Sequence, residues 1–526
     1  MQTMIITDKA SSENIYLGIE LGSTRIKAMV IDATHRPLAT SESIWENRLE
    51  QGYWTYSLDE VWSGLQNVIE GLTSSVDLSR ISALGISAMM HGYLVFDVNG
   101  EQLTAFRTWR NTTTAEAAAL LSEAFAYNIP QRWSIAHLYQ AILDDEKHVA
   151  EIGFLTTLAG YVHWRLCGEK VLGVGDASGM FPIANQGGYD QEMLKVFDGL
   201  IAEKGYPWSL ETILPRPLSA GLPAGRLSEA GAVLLDPSGR LKAGTSLCPP
   251  EGDAGTGMVA TNSIAPRTGN ISAGTSIFAM AVLEKPLQYR YAEIDCVTTP
   301  VGDPVAMVHC NNCTSDIDAW IGLLEEAARS SGALVSRDAL YAAFYRDALG
   351  GEADAGGLLC YNYLSGEPIT GLSEGRPLLV RLPDSKLSFS NFARAMLFAA
   401  IATLKIGMDL LREKEGLVLD LLAGHGGVFK APRTGQQLLA AALHTPVAVM
   451  ASAGEGGAWG IAILAAYLLQ GEGSNLQSYL TSRVFASAKT EVVDASVEDC
   501  VGFAAYMERY VAGLEIERTA VQKLEA

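Results

Sequence analysis

Tyr16-Leu-Gly-Ile-Glu-Leu-Gly-Ser-Thr-Arg-Ile-Lys-Ala-Met-Val-Ile-Asp32 is an apolar run, a Gly-Ser-Thr turn, and a second run of alternating apolar residues. The pattern predicts a β-hairpin with Gly22, Ser23 and Thr24 at its tip. Such a tip offers backbone N–H groups and two hydroxyls to an anion. Glu20, just before it, places a carboxylate where it would orient a hydrated Mg²⁺. An ordinary hairpin with a polar turn has the same signature, so the stretch needs support from the rest of the chain.

That support comes from Thr268-Gly-Asn-Ile-Ser-Ala-Gly-Thr-Ser-Ile-Phe-Ala279, which repeats the order strand, turn, strand with Gly274, Thr275 and Ser276 at the tip. Two such turns, one per half, read as a duplicated phosphate clamp; the plain alternative is two unrelated hairpins, because Gly-Thr-Ser is common in turns. Between them lies Cys248-Pro-Pro-Glu-Gly-Asp-Ala-Gly-Thr-Gly-Met258, one acid, Asp253, among Gly252, Ala254, Gly255 and Gly257. Glycines allow another molecule to approach the backbone closely. Asp253 is therefore read as an acid facing a ligand, with a tight interdomain turn as the alternative.

The composition bounds the answer. A chain of 526 residues, 48% hydrophobic and 18% charged, is folded and too long for one core, so two large domains are expected. The net charge is 38 − 59 = −21, which disfavours nucleic acid and anionic membranes as partners. A few backbone amides and one Mg²⁺ still suffice locally for a phosphate ligand. The start of the chain, Met1 to Tyr16, lacks a basic segment followed by an apolar core, so no secretory signal is expected. The run from Trp459 to Leu469 is far short of the roughly 20 residues of a membrane span. Seven scattered cysteines fit a reducing, cytoplasmic setting better than a disulfide scaffold.

In order along the chain, Ser57 to Leu72 has helical spacing, with Ser57 and Glu60 as a capping box. A strand from Ile81 to Ser87 leads into Met89-Met-His91-Gly92, which places His91 at a strand end, a usual place for ligand contacts. Phe106-Arg-Thr-Trp-Arg-Asn111 combines guanidinium, indole and amide groups that suit a polyol, or else a surface ion-pair cluster. Asp176, in Gly175-Asp-Ala-Ser-Gly179, rivals Asp253 as the catalytic acid. Cys310-Asn-Asn-Cys313 has zinc half-site spacing but lacks a second ligand pair, so buried free thiols are expected. Phe392 to Leu411 reads as a long helix, and Leu419 to Ala423 as a strand leading into Gly424-His-Gly-Gly-Val-Phe-Lys430. That glycine-rich loop admits a flat or phosphate-bearing ligand. Residues from Gly471 onward read as a charged surface tail.

Together, Gly18-Ile-Glu-Leu-Gly-Ser-Thr24, Met90-His91-Gly92, Gly252-Asp-Ala-Gly255 with Ala273-Gly-Thr-Ser276, and Ala423-Gly-His-Gly-Gly427 resemble the FGGY family of carbohydrate kinases. The resemblance runs from about residue 15 to about residue 470. It implies an α/β fold of two actin-like (ribonuclease H-like) ATPase domains with a cleft between them. The expected limits are 15–260, 261–480 and a C-terminal extension at 481–526. It implies Asp253 as catalytic base, ATP and Mg²⁺ as cofactors, and Glu20 with Asp253 at the metal. Nucleotide contacts are expected from Gly22, Ser23, Thr24, Lys27, Gly274, Thr275, Ser276, Gly424, Gly426, Gly427 and Lys430. Sugar contacts are expected from Met90, His91, Trp109, Arg110, Asn111 and Asp253. The wording looks most like the ribulokinase/xylulokinase branch, which phosphorylates a ketopentose to its 5-phosphate. Kinases of glycerol, erythritol or gluconate, and an actin-like ATPase without a small acceptor, remain alternatives, and a homodimer stays open. Two departures stand out: Glu20 replaces the family's usual Asp, and His425 replaces its third glycine-loop residue.

Overall fold

β1 (Ile15–Leu21) and β2 (Arg25–Ile31) form the first hairpin, antiparallel from Tyr16 opposite Ile31 to Leu21 opposite Ile26. This computed structural model describes residues 14–184, 187–431, 433–450 and 456–524, the side chain of Lys430 excepted. β3 (Pro37–Ile44) continues antiparallel beside β2. On the other side of β1, β4 (Ile81–Ala88) runs parallel to it, and β5 (Ser246–Leu247) and β6 (Glu251–Gly252) run parallel to β4. The sheet order is β5-β4-β1-β2-β3, with β6 also on β4. β1 is buried along almost its whole length, which is why it reads as a continuous apolar run and not as an alternation. Helix Gly456–Gln470 packs on β1, β2 and β4, and helix Leu58–Leu72 packs on β2 and β3 through Val61, Leu65, Val68 and Ile69. Ser57 is the N-cap of the latter helix, but its side chain makes no cap bond, and Glu60 pairs with Arg48. The expected capping box is therefore absent.

The second hairpin is β7 (Thr268–Ala273) and β8 (Ile277–Val282), with Gly269 opposite Ala281. β9 (Pro304–Cys310) lies antiparallel to β8. β10 (Leu421–His425) is parallel to β7, β11 (Val447–Met450) is parallel to β10, and β12 (Thr490–Val493) closes that side antiparallel. The central order β9-β8-β7-β10-β11 repeats β3-β2-β1-β4-β5, with the same strand directions. In each sheet the first hairpin strand has antiparallel neighbours on one side and parallel partners on the other; in the second, strand Ile294–Thr298 comes before β9 in the chain and lies at the edge beyond it.

By contacts the chain divides into two units. The first runs to Asn262 and includes Val297–Gly302 and a segment ending at Ser487; the second holds Ser263–Cys296, the stretch from Asp303, and everything from Ala488. The expected limits followed sequence order, whereas the spatial units interleave: helix Gly456–Gln470 belongs to the first unit. Each unit has its own apolar core. The end of the chain corrects the surface-tail expectation. Helix Val497–Lys523 places Phe503, Tyr506 and Tyr510 in the core of the second unit, against the long helix Phe389–Glu415 and strand Leu358–Tyr361. Cys310 and Cys313 are buried free thiols, as expected, and no metal-binding group of three or more His, Cys, Asp or Glu occurs among the described residues.

Candidate active site

In the first unit, Glu20 and Asp253 stand at the carboxyl ends of parallel strands. Glu20 lies opposite Ser87 of β4, and β6 pairs with Ser87 and Ala88 of the same strand, so Asp253 emerges beside them as the first residue of helix Asp253–Ala260. A Ser87–Thr256 hydroxyl bond of 2.9 Å ties that helix to β4. Carboxyl ends of parallel strands are where open α/β sheets hold ligands. Asp253 Oδ1 accepts from Ala254 N at 3.0 Å and from Met90 N at 3.3 Å. Its Oδ2 has no partner among the described residues. Burial raises its pKa to about 6, against those backbone bonds. Glu20 accepts from Ala458 N at 3.1 Å and is pushed up to about 7, by burial first and by the charge of Asp253 second. A Cβ at Gly457 would lie 2.5 Å from Glu20 Oε1, so the carboxylate would have to shift.

The rival acid is sealed. Asp176 is fully buried, accepts from Thr157 Oγ1 at 2.7 Å, and is raised to about 8 by burial. Its amide and that of Gly175 donate to Glu251, itself buried and raised to about 8. Sequence reading missed Glu251. Its trace was present in Gly173 and Gly175, where a Cβ would lie 2.2 and 2.6 Å from the Glu251 carboxyl group.

At the first turn, all three carbonyls are tied back. Gly22 O accepts from Trp45 Nε1 at 2.7 Å, Ser23 O from Tyr56 OH at 2.6 Å, and Thr24 O from Trp45 N at 3.2 Å. The Trp45 and Tyr56 rings stack at 4.2 Å. The amides of Ser23 and Thr24 have no partner among the described residues. Orienting carbonyls one way leaves a concavity of N–H groups on the other, which is an anion site. Trp109 Nε1 reaches Ser23 Oγ at 3.3 Å. Lys27 sits opposite Glu20 in the hairpin register and favours its ionised form.

The second unit repeats the device. Gly274 O accepts from Thr314 N at 3.1 Å and from Thr314 Oγ1 at 2.8 Å, and Thr275 O accepts from Cys313 N at 2.9 Å. The Thr275 and Ser276 amides again lack partners among the described residues. Beside this turn, Gly426 has φ 102° and a Cβ there would lie 2.4 Å from Ala273 O; one on Gly424 would strike the Phe429 ring. Those two glycines serve close packing. Gly427 instead lines a cavity of about 760 Å³ with Thr314, Tyr341, Tyr345, Arg346 and Thr434. His425 is partly buried, and burial lowers its pKa. The Lys430 side chain lies outside the described residues.

The sugar-contact set divides. His91 and Gly92, at φ 68° and 90°, reverse the chain after β4. Both ring nitrogens of His91 are occupied: Nδ1–H donates to Gly179 O at 3.0 Å, and Nε2 accepts from Arg132 Nε at 3.3 Å. Burial and Arg132 hold its pKa down near 3, so the ring is neutral. With both nitrogens partnered, His91 holds the loop that aims Met90 N at Asp253. Asn111 is likewise spent, accepting from Trp54 N and donating to Trp54 O and Thr108 O. Trp109 and Arg110 stay exposed, Arg110 lying over the Trp54 ring and bonded to Asn47.

A repeated sheet carrying two amide-lined turns, with half-buried acids at strand ends, has the build of a two-domain phosphotransferase for small acceptors. The chain belongs to the FGGY family of carbohydrate kinases: residues 15–208 match the family's N-terminal domain and residues 269–469 its C-terminal domain. It is 24% identical to a xylulose kinase of Haemophilus influenzae over 422 residues, 76% of this chain and 80% of the relative. The fold matches a xylulose kinase from Rhodospirillum rubrum (TM-score 0.78, 17% identity, 96% of this chain and 99% of that one). It matches a gluconate kinase from Lactobacillus acidophilus equally well (TM-score 0.78, 18% identity, 97% and 99%).

Proposed function

We propose that this enzyme transfers the γ-phosphoryl group of ATP to a hydroxyl of a ketopentose, xylulose or ribulose, giving the 5-phosphate. The observation that carries the reading is the Asp253 carboxylate: one oxygen is fixed by the Met90 and Ala254 amides and the other is unspent. A carboxylate held this way accepts the proton of the attacking hydroxyl as the O–P bond forms. Phosphoryl transfer asks mainly for positioning and charge neutralisation. The free amides of Ser23, Thr24, Thr275 and Ser276 supply donors for the phosphates, and the cavity beside Gly427 has the size and aromatic lining for adenosine.

Glu20 and Asp253 fit Mg²⁺. Both are half-buried, and the Glu20 carboxyl is pushed up by burial and then by the charge of Asp253, a cost a cation relieves. The two carboxylates would hold the ion together with water and the phosphates, the usual arrangement for Mg²⁺. When bound, it supplies charge neutralisation at the phosphates.

A ketopentose is favoured over a sugar acid by the xylulose kinase relative. The test is ADP release with xylulose, ribulose, glycerol, erythritol and gluconate at matched concentrations. The highest kcat/KM is expected with a ketopentose. A preference for gluconate or glycerol overturns the substrate assignment, and ATP turnover without any acceptor overturns the transfer itself.

A further inference from the structure

The segment that holds the second turn is itself held by one buried acid. Glu367 is fully buried, and its Oε2 accepts from Asn311 N at 3.0 Å, Asn312 N at 3.4 Å and Asn312 Nδ2 at 3.3 Å. Asn312 Oδ1 in turn accepts from the amides of Leu364 and Ser365, both at 3.0 Å. The next two residues, Cys313 and Thr314, donate their amides to Thr275 O and Gly274 O. Glu367 is itself fixed at its backbone, with N donating to Leu372 O at 2.7 Å. So a chain of hydrogen bonds runs from Glu367 through 311–314 to the carbonyls of the turn, and the direction of those carbonyls decides where the turn's amides point. Glu367 is not among the residues that line the cavity beside Gly427. Three N–H donors converge on one oxygen of this side chain, so it can order the segment even though burial pushes its pKa up to about 7.

We propose that Glu367 is a positioning residue for phosphoryl transfer: it clamps residues 311–314 so that the Gly274–Ser276 turn presents its amides to the nucleotide phosphates. This rests on the reading of that turn as a phosphate site. Of the clamped segment only Thr314 lines the cavity assigned to adenosine, whereas Cys313 and Thr314 both hold the turn's carbonyls, so loss of the clamp should weaken ATP more than adenosine, which a general loss of stability would not do.

The experiment measures equilibrium binding of ATP and of adenosine, KM for ATP and for the sugar, and amide hydrogen exchange, in three full-length variants. Glu367→Leu is expected to weaken ATP of order tenfold with adenosine and sugar KM within twofold. Exchange should quicken at 311–314 alone. Glu367→Gln keeps one acceptor oxygen and should recover most of the loss, to within about threefold of the parent in ATP. Gly274→Val tests the turn independently. A Cβ at Gly274 would meet nothing within 4 Å, so the fold has room there, and on the phosphate reading of the turn the added side chain would stand in the ligand's way. If Gly274→Val leaves ATP affinity intact, the phosphate reading of the turn fails. If Gly274→Val weakens ATP while Glu367→Leu does not, or weakens ATP and adenosine equally, the proposal fails and the turn stands. Should Glu367→Leu not fold, Glu367→Gln decides: unchanged exchange at 311–314 and an unchanged ratio of ATP to adenosine affinity overturn the proposal.

Discussion

At the residue scale, two acids near each other are separated by what surrounds them. Each keeps one carboxyl oxygen without a partner among the described residues, but Asp176 is wholly buried beside Thr157 and Glu251 whereas Asp253 is partly exposed. Asp253→Asn keeps the Met90 and Ala254 bonds but cannot accept a proton. Its kcat is expected to fall about 10² to 10⁴-fold, with nucleotide and sugar binding retained; Asp176→Asn should lose far less, and the reverse ranking would remove Asp253 as the base. Asp176 has its own signature. Its folded pKa is raised from 3.8 to about 8, so the folded state holds a proton that the unfolded state releases. The stability this gives is fully present below the ordinary carboxylate range and is lost as pH rises through about 8. Asn does not titrate, so Asp176→Asn should melt progressively higher relative to the parent between pH 5 and about pH 8. Parallel melting curves across that range would show that Asp176 is already ionised in the fold.

At the element scale, helix Gly456–Gln470 lies so close on β1 that only glycine fits beneath it. A Cβ at Gly18 would lie 2.1 Å from Ala458 O and 2.6 Å from Ala462 N. Backbone atoms cannot yield as a flexible side chain can, so the helix would have to move, and with it the Ala458 amide that orients Glu20. Gly18→Val is expected to cost about 3 kcal/mol and to lower kcat through Glu20. Chemical denaturation measures the first and steady-state kinetics the second. A stable, fully active Gly18→Val enzyme would mean the helix is not fixed on the strand.

At the scale of the whole molecule, each unit carries its own core, and the final helix belongs to the second. Multidomain chains need not unfold in one step. Tyr506, buried with its hydroxyl on Cys360 O at 3.1 Å, should cost about 3–5 kcal/mol when truncated to Ala. Calorimetry of Tyr506→Ala is expected to show one transition lowered, assigned by exchange to the second unit, and the other unmoved. Equal lowering of both would show that the units unfold as one.

The sequence by itself determined the two hairpins, the strand-turn-strand repeat and the acid between them, because period-two apolar runs and Gly-Ser/Thr tips are local signals. It determined the family for the same reason, since four short motifs in fixed order need no knowledge of contacts. Only the tertiary structure decided which polar groups stay free. His91 and Asn111 look like ligand contacts in sequence, yet partners far along the chain, Arg132, Gly179 and Trp54, use up their hydrogen-bonding capacity. Asp176 and Asp253 are equivalent as letters, and their surroundings in the fold separate them. The final helix reads as a charged tail because its apolar residues are few and widely spaced. Whether Phe503, Tyr506 and Tyr510 point into a core depends on helices and strands that the chain forms more than a hundred residues earlier.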